Sequence, residues 1–285
     1  MTDTIETVGI VGAGFMGSGI AEAVARAGLE VRLHEPNPEP LERSRERVRE
    51  SIERAVEGGK LDRAEAGALD ARISWTTEFA DLADCQLVIE AVTEDPEEKT
   101  SVFQYLGELL DRETLIASNT SSIPIAQLAA AAPEPGRVLG LHFFSPAQVM
   151  RLVEVVVSID TAPETVERAE AFVERIGKTP IRTKDRSGFI VNMLLVPYLM
   201  AGVRMYEEGF ATREAIDEGM RLGCGHPMGP LELADFIGLD VLYAVCDSLY
   251  EEFKRPEYAP PPLLKRMVVS GHLGRKSGGG FYEYD

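Results

Sequence analysis

His142 and Glu154 are the residues of this chain best suited to move a proton. His142 ends the apolar run Val138-Leu139-Gly140-Leu141, and Glu154 sits inside Leu152-Val153-Glu154-Val155-Val156-Val157, an otherwise apolar, strand-like segment. A lone carboxylate in such a segment is costly to bury unless it is paired. A partner imidazole removes that cost. The carboxylate fixes the ring tautomer and stabilises the imidazolium, so the second ring nitrogen acts as a base near neutral pH. The competing placement is a solvent-facing Glu154 on an edge strand. The other histidines, His34, His226 and His272, lie in ordinary loop or strand-end contexts. Asn119-Thr120-Ser121-Ser122 follows Leu115-Ile116-Ala117-Ser118 and brings hydroxyls to the end of another strand. Ser122 suits the N-cap of the helix expected over 125–131, which leaves Ser121 to meet a substrate.

A second constellation is Gly12-Ala13-Gly14-Phe15-Met16-Gly17. Val8-Gly9-Ile10-Val11 leads into it and Ile20-Ala21-Glu22-Ala23-Val24-Ala25 follows. A strand that turns sharply into a helix aims the helix's first N–H groups at whatever sits in the turn. Gly12 makes the turn, Gly14 admits a pyrophosphate to the backbone, and Gly17 lets helix pack on strand. The glycine spacing alone is weak and would suit a loop that binds nothing. The flanking elements, with Glu35 closing the run Val31-Arg32-Leu33-His34, make it specific. A carboxylate there accepts from a ribose diol and repels a 2′-phosphate, which favours NAD over NADP.

Positioning these residues requires strands and helices in alternation. Strand-like runs fall at 8–11, 31–34, 73–76, 87–90, 115–117, 138–144, 152–157 and 179–182, with helices expected over 18–27, 38–56, 97–110, 125–131 and 163–176. That alternation predicts an α/β fold, a doubly wound, mostly parallel Rossmann-type sheet. Ligands of such sheets bind at the carboxyl ends of the strands, where His142 and Ser121 fall. After Lys184-Asp185-Arg186-Ser187-Gly188 the pattern becomes helical, near 189–208, 212–222, 230–253 and 262–270. The expected organisation is a dinucleotide-binding domain over 1–186 and an all-helical domain over 187–285.

The chain has 285 residues, 45% of them hydrophobic, which is enough for one large domain or two smaller ones with their own cores. Its formal net charge of −18 argues against nucleic acid and anionic membranes as partners. Phosphate-bearing ligands must then be held by local cations and backbone N–H groups. Cys85, Cys224 and Cys246 have neither disulfide-framework nor zinc-site spacing. A reduced, cytoplasmic setting follows, and no cluster of metal ligands is visible. The acidic start Met1-Thr2-Asp3-Thr4-Ile5-Glu6 lacks the basic and apolar regions of a signal peptide. The apolar stretch 188–203 carries Asn192 and Pro197 and reads as a buried helix. Arg43, Arg45, Arg47, Arg49 and Arg54 alternate with Glu42, Glu46, Glu50 and Glu53 as a solvated, ion-paired helix face.

Several longer motifs stand in one order. They are Gly12-x-Gly14-x-Met16-Gly17, Ser118-Asn119-Thr120-Ser121-Ser122, His142-Phe143-Phe144-Ser145-Pro146 and Met150-x-Leu152-Val153-Glu154-Val155. Gly188-Phe189-Ile190-Val191-Asn192, Gly225-His226-Pro227-Met228-Gly229-Pro230-Leu231, Ala234-Asp235-Phe236-Ile237-Gly238-Leu239-Asp240 and Gly274-Arg275-Lys276-Ser277-Gly278-x-Gly280-Phe281-Tyr282 continue the series. Over nearly its whole length the chain resembles the short-chain 3-hydroxyacyl-CoA dehydrogenases, and among them the bacterial 3-hydroxybutyryl-CoA dehydrogenases.

The resemblance implies NAD as cofactor, an acyl-CoA substrate and a homodimer formed by the helical domain. It implies His142 as general base with Glu154 as its partner, Ser121 on the reacting oxygen and Asn192 on the substrate's polar atoms. Glu94, Lys99 and Lys276 would approach the cofactor, and Ser51 would meet CoA. Three positions depart from the family pattern: Ser145 stands where Asn near the nicotinamide is usual, Met193 where Arg is frequent, and Gly58 where a CoA-binding Lys is expected. Lys60, two residues on, is the substitute for that lysine, with the Arg43, Arg45, Arg47, Arg49 and Arg54 series the alternative to it. A dehydrogenase of free hydroxyacids would carry a catalytic Lys in the region 188–208, which has none. The further alternatives are another acyl carrier, a non-catalytic nucleotide-binding protein and a methyltransferase; the helical second half and the His–Glu pair argue against the last.

Overall fold

The computed structural model describes residues 4–284; Met1, Thr2 and Asp3 of the acidic N-terminal run, and Asp285, lie outside the described residues. The chain divides into two compact units, Met1–Asp185 and Arg186–Asp285.

The first unit runs β1 (Thr7–Val11), α1 (Phe15–Arg26), β2 (Glu30–His34), α2 (Pro38–Glu57), α3 (Arg63–Ala71), β3 (Ile73–Thr76), β4 (Leu87–Glu90), α4 (Pro96–Leu109), β5 (Leu115–Ser118), α5 (Ile125–Ala129), β6 (Val138–Phe143), β7 (Leu152–Val157), α6 (Pro163–Arg175) and β8 (Thr179–Lys184). The strands form one sheet in the order β3-β2-β1-β4-β5-β6-β7-β8. All neighbours are parallel except β6 and β7. Central strands covered on both faces read as continuous apolar runs, and Val8, Ile10, Leu87, Val88, Ile89, Leu115 and Ile116 are fully buried. Ile20 and Val24 of α1 join Ile10, Leu33 and Ile89 in one core, each such side chain contributing about 1.5–3 kcal/mol by burial. The strand order reverses between β1 and β4, so their carboxyl ends open the crevice where ligands of these folds sit.

The helix α3 was not among the elements expected from the sequence. Its signal is a capping box: Asp62 Oδ1 accepts from the Glu65 N–H at 2.8 Å, and Glu65 Oε2 accepts from the Asp62 N–H at 3.4 Å. Strand β7 is not an edge strand, because β8 lies beside it.

The second unit comprises α7 (Val191–Glu207), α8 (Arg213–Cys224), α9 (Pro230–Ile237), α10 (Leu239–Phe253) and α11 (Pro262–Val269) around Val196, Leu199, Met200, Leu231, Leu242, Cys246, Leu249 and Leu264. The single helix expected over 230–253 is two helices. Gly238, at φ +101°, breaks it, a conformation L-side chains rarely adopt. Buried Asp217 accepts from the first N–H groups of α9, on Leu231 (2.8 Å) and Glu232 (2.9 Å). Asp235 clasps the C-terminal tail through Phe281 N–H (2.9 Å), Tyr282 N–H (2.9 Å) and Tyr284 Oη (3.0 Å). A Cβ at Gly280 would lie 2.0 Å from Asp235 Oδ1, so glycine is required there. Among the described residues no helix is long and apolar enough to cross a membrane.

Candidate active site

The β1–α1 turn separates the roles of its three glycines. Gly12 has φ +107°, and a Cβ there would meet the Ala91 carbonyl oxygen at 2.6 Å. A Cβ at Gly17 would meet the Gly12 carbonyl oxygen at 1.9 Å, so these two glycines are demanded by the protein's own packing. A Cβ at Gly14, the N-cap of α1, would meet nothing within 4 Å. That position is glycine for no reason internal to the protein, which fits close approach by a ligand's pyrophosphate. The first turn of α1 carries no acidic residue, and its N–H groups with the helix dipole favour an anion. Glu35 reaches this turn, its Oε2 accepting from Ala13 N–H at 3.4 Å while Oε1 accepts from Asn37 Nδ2 at 3.1 Å. Phe15 is exposed and Met16 half-buried beside it. The residues present therefore fit a dinucleotide with a ribose diol next to Glu35.

Most of the arginine series on α2 is ion-paired as expected: Arg43 with Glu39, Arg45 with Glu42, Arg54 with Glu50, and Arg49 with Asp70 of α3. Arg47 differs. It donates to Ser18 Oγ at 2.6 Å and to the Ala13 and Gly14 carbonyls at 3.4 Å, bracing the glycine turn.

At the ends of β4 and β5 a chain of ionic contacts organises the Ser121 turn. Glu94 Oε1 accepts from Thr120 Oγ1 (2.5 Å), Ser121 N–H (2.9 Å), Ser122 N–H (3.2 Å) and Ser122 Oγ (2.9 Å), with Ser121 Oγ at 3.4 Å. Burial pushes the Glu94 carboxyl up, but the Lys99 ammonium and these donors outweigh it and hold the carboxyl below its ordinary range. Lys99 is 1% exposed; its Nζ lies 2.6 Å from Glu90 Oε1 and 3.3 Å from Glu94 Oε2. Ser122 does not cap α5. The N–H groups of Ile125 and Ala126 instead donate to Asp185 at 2.8 and 2.7 Å, and both Ser122 groups serve Glu94. A carboxylate sixty residues away leaves no local signal for such a cap.

His142 and Glu154 face one another directly in the antiparallel β6–β7 ladder. Glu154 Oε2 lies 2.7 Å from His142 Nδ1, with the residues 1% and 6% exposed. The solvent-facing placement of Glu154 is thereby excluded. Phe144 packs edge-on against the imidazole with ring centroids 4.6 Å apart. Asn119 Oδ1 accepts from Phe143 N–H at 2.9 Å, tying the Ser121 turn to the strand that carries His142. His34, read as ordinary, is buried against Phe79 at 3.9 Å between ring centroids.

Ser145 is exposed just beyond β6. Ser51 on α2 accepts from Gln148 Nε2 at 3.3 Å, and Lys60 is exposed beyond the end of that helix. In the second unit, Asn192 is half-buried in the first turn of α7. Lys276 pairs with Asp240, Nζ to Oδ1 2.5 Å. Among the described residues no group of three or more His, Cys, Asp and Glu is placed to hold a metal ion. Neither Glu90 nor Asp185 stands in a sequence pattern that marks it as part of the site. Glu90 was visible only as a carboxylate closing an apolar run, the same pattern that drew notice to Glu154.

Residues 7–186 match the family model of the 3-hydroxyacyl-CoA dehydrogenase NAD-binding domain, and residues 188–284 match that of its C-terminal domain. The chain is 51% identical over 286 residues to a 3-hydroxybutyryl-CoA dehydrogenase of Mycobacterium tuberculosis, covering 100% of both chains. The crystal structure of M. tuberculosis FadB2 superposes with a TM-score of 0.98 at 51% identity, covering 99% of this chain and 100% of that one. The (S)-3-hydroxybutyryl-CoA dehydrogenase PaaH1 of Ralstonia eutropha gives a TM-score of 0.93 at 43% identity, covering 99% and 100%. With the glycine turn, Glu35 and the His142–Glu154 pair built into this fold, the chain belongs to the 3-hydroxyacyl-CoA dehydrogenase family, its first unit being that family's NAD-binding domain.

Proposed function

We propose that the chain interconverts a short-chain (3S)-3-hydroxyacyl-CoA, such as 3-hydroxybutyryl-CoA, and the corresponding 3-oxoacyl-CoA. The observation that carries the reading is the buried His142–Glu154 pair at the carboxyl end of β6. The names of the full-length relatives support the substrate class. NAD, held by the turn 12–17 and Glu35, supplies the hydride acceptor.

The protein's share is position and proton transfer. Glu154 holds the Nδ1 side of His142, so proton exchange with the 3-hydroxyl falls to Nε2. In oxidation His142 takes the hydroxyl proton; in reduction the imidazolium returns one to the developing alkoxide. Glu154 stabilises the imidazolium in both directions. Ser121, oriented by Glu94, donates to the reacting oxygen. Asn192 contacts the substrate's polar atoms, and Ser51 and Lys60 serve CoA. Glu94, Ser145 and Lys276 serve the cofactor; Lys99, buried and paired with Glu90 and Glu94, acts through Glu94 rather than by touching the cofactor as the resemblance implied. The active form is a homodimer assembled through the helical unit, in a cytoplasmic setting.

Oxidation of NADH followed at 340 nm tests this reading. Turnover with acetoacetyl-CoA, and at least tenfold less with free acetoacetate or with NADPH, is the expected result. Equal turnover with free acetoacetate would move the substrate to the free acid. No turnover with any of these would reject the reaction.

A further inference from the structure

The family motifs do not single out the most deeply buried carboxylate near this site. Glu90 ends β4 at 0% exposure. Its Oε1 lies 2.6 Å from Lys99 Nζ and accepts from Val92 N–H at 2.7 Å, while its Oε2 accepts from Ser118 Oγ at 2.6 Å. A carboxylate taken fully out of water is sustained only by such a set of partners. Lys99 and Ser118 both lead to the same turn. Lys99, held by Glu90, sits against Glu94 Oε2, and Glu94 Oε1 gathers Thr120, Ser121 and Ser122. Ser118 Oγ accepts from Thr120 N–H at 3.1 Å, and the Glu90 carbonyl accepts from Asn119 N–H at 2.8 Å.

We propose that Glu90 is a positioning residue for the reaction: it anchors Lys99 and Ser118 so that Glu94 presents Ser121 in its working orientation. Without the Glu90 charge, the Lys99 ammonium is left with Glu94 as its remaining carboxylate partner among the contacts described. The bond from Lys99 then competes with the Ser121 turn for Glu94. This inference rests on the reading that Ser121 meets the reacting oxygen.

A double-mutant cycle between Glu90→Gln and Ser121→Ala tests it, with kcat for acetoacetyl-CoA reduction as the readout and melting temperature measured alongside. Glu90→Gln alone is expected to lower kcat about ten- to thirtyfold, a fraction of the roughly 10²–10³-fold typical of losing one donor to a developing oxyanion. On the Ser121→Ala background the same change is expected to move kcat by less than about threefold, because residues acting as one unit are not additive. An equal factor on both backgrounds, or an unchanged kcat in Glu90→Gln alone, overturns the inference. If Glu90→Gln does not fold, Ser118→Ala replaces it, with about a three- to tenfold loss expected on the wild-type background and none on Ser121→Ala; an equal loss on both again overturns it. A wild-type enzyme inactive on acetoacetyl-CoA would instead reject the functional reading itself, and the inference with it.

Discussion

Glu154→Gln isolates the charge behind the proposed base while keeping its shape. Glu154 is 1% exposed, and its Oε2 lies 2.7 Å from His142 Nδ1. A hydrogen bond to a charged group contributes about 1.5–3 kcal/mol, and its full strength is realised only while the imidazole carries the transferred proton. At about 1.4 kcal/mol per tenfold in rate, removing the charge should lower kcat about ten- to a hundredfold. If the new amide turns its NH2 toward Nδ1, the ring is locked in the wrong tautomer and the loss grows toward ~10⁴-fold. The volume is conserved and the buried charge is gone, so the melting temperature should change by only a few degrees. The assay is NADH oxidation with acetoacetyl-CoA, with NADH affinity measured separately by fluorescence and expected within about threefold of wild type, since Glu154 lies on no element of the glycine turn. A folded Glu154→Gln enzyme with kcat within threefold of wild type would refute the reasoning.

Glu35→Ala should reduce the preference for NADH over NADPH, read as the ratio of kcat/KM values, by at least about tenfold, because a carboxylate that accepts from a ribose diol also repels a 2′-phosphate. Glu94 is held below its ordinary pKa of 4.5: burial raises it, and Lys99 with the Ser121-turn donors more than offsets that. Its contribution to stability is therefore complete above that ordinary value and lost as pH falls through the depressed folded value. The melting-temperature gap between wild type and Glu94→Gln should be largest near neutral pH and close on acidification; a gap that widens toward acid would contradict this. Asp235→Ala strips the tail clasp of its acceptor and strands the N–H groups of Phe281 and Tyr282. Urea denaturation of the full chain should show a loss of about 3 kcal/mol or more.

The His142–Glu154 pairing was legible because it violates local expectation. A single carboxylate in an apolar strand needs a partner, and the histidine ending the preceding strand-like run was the available one. The glycine turn was legible because each of its constraints is local, and the structure separates Gly12 and Gly17, fixed by packing, from Gly14, which is not. Apart from α3, whose capping box is a local signal, what escaped depended on distant partners or on one backbone angle. Asp185 caps α5 from across the sequence, Lys99 turns inward to Glu90, and Gly238 splits a helix whose apolar pattern runs through it. The tail glycines belong to the same class. Gly280 is explained by Asp235, which meets it only after the helical unit folds.

The most direct test of the account is His142→Gln. A loss in kcat of about 10²–10⁴-fold with acetoacetyl-CoA, at nearly unchanged NADH affinity, is the result expected of a general acid–base whose nucleotide site is built elsewhere. Near wild-type turnover in that variant would remove His142 from the chemistry and contradict the account.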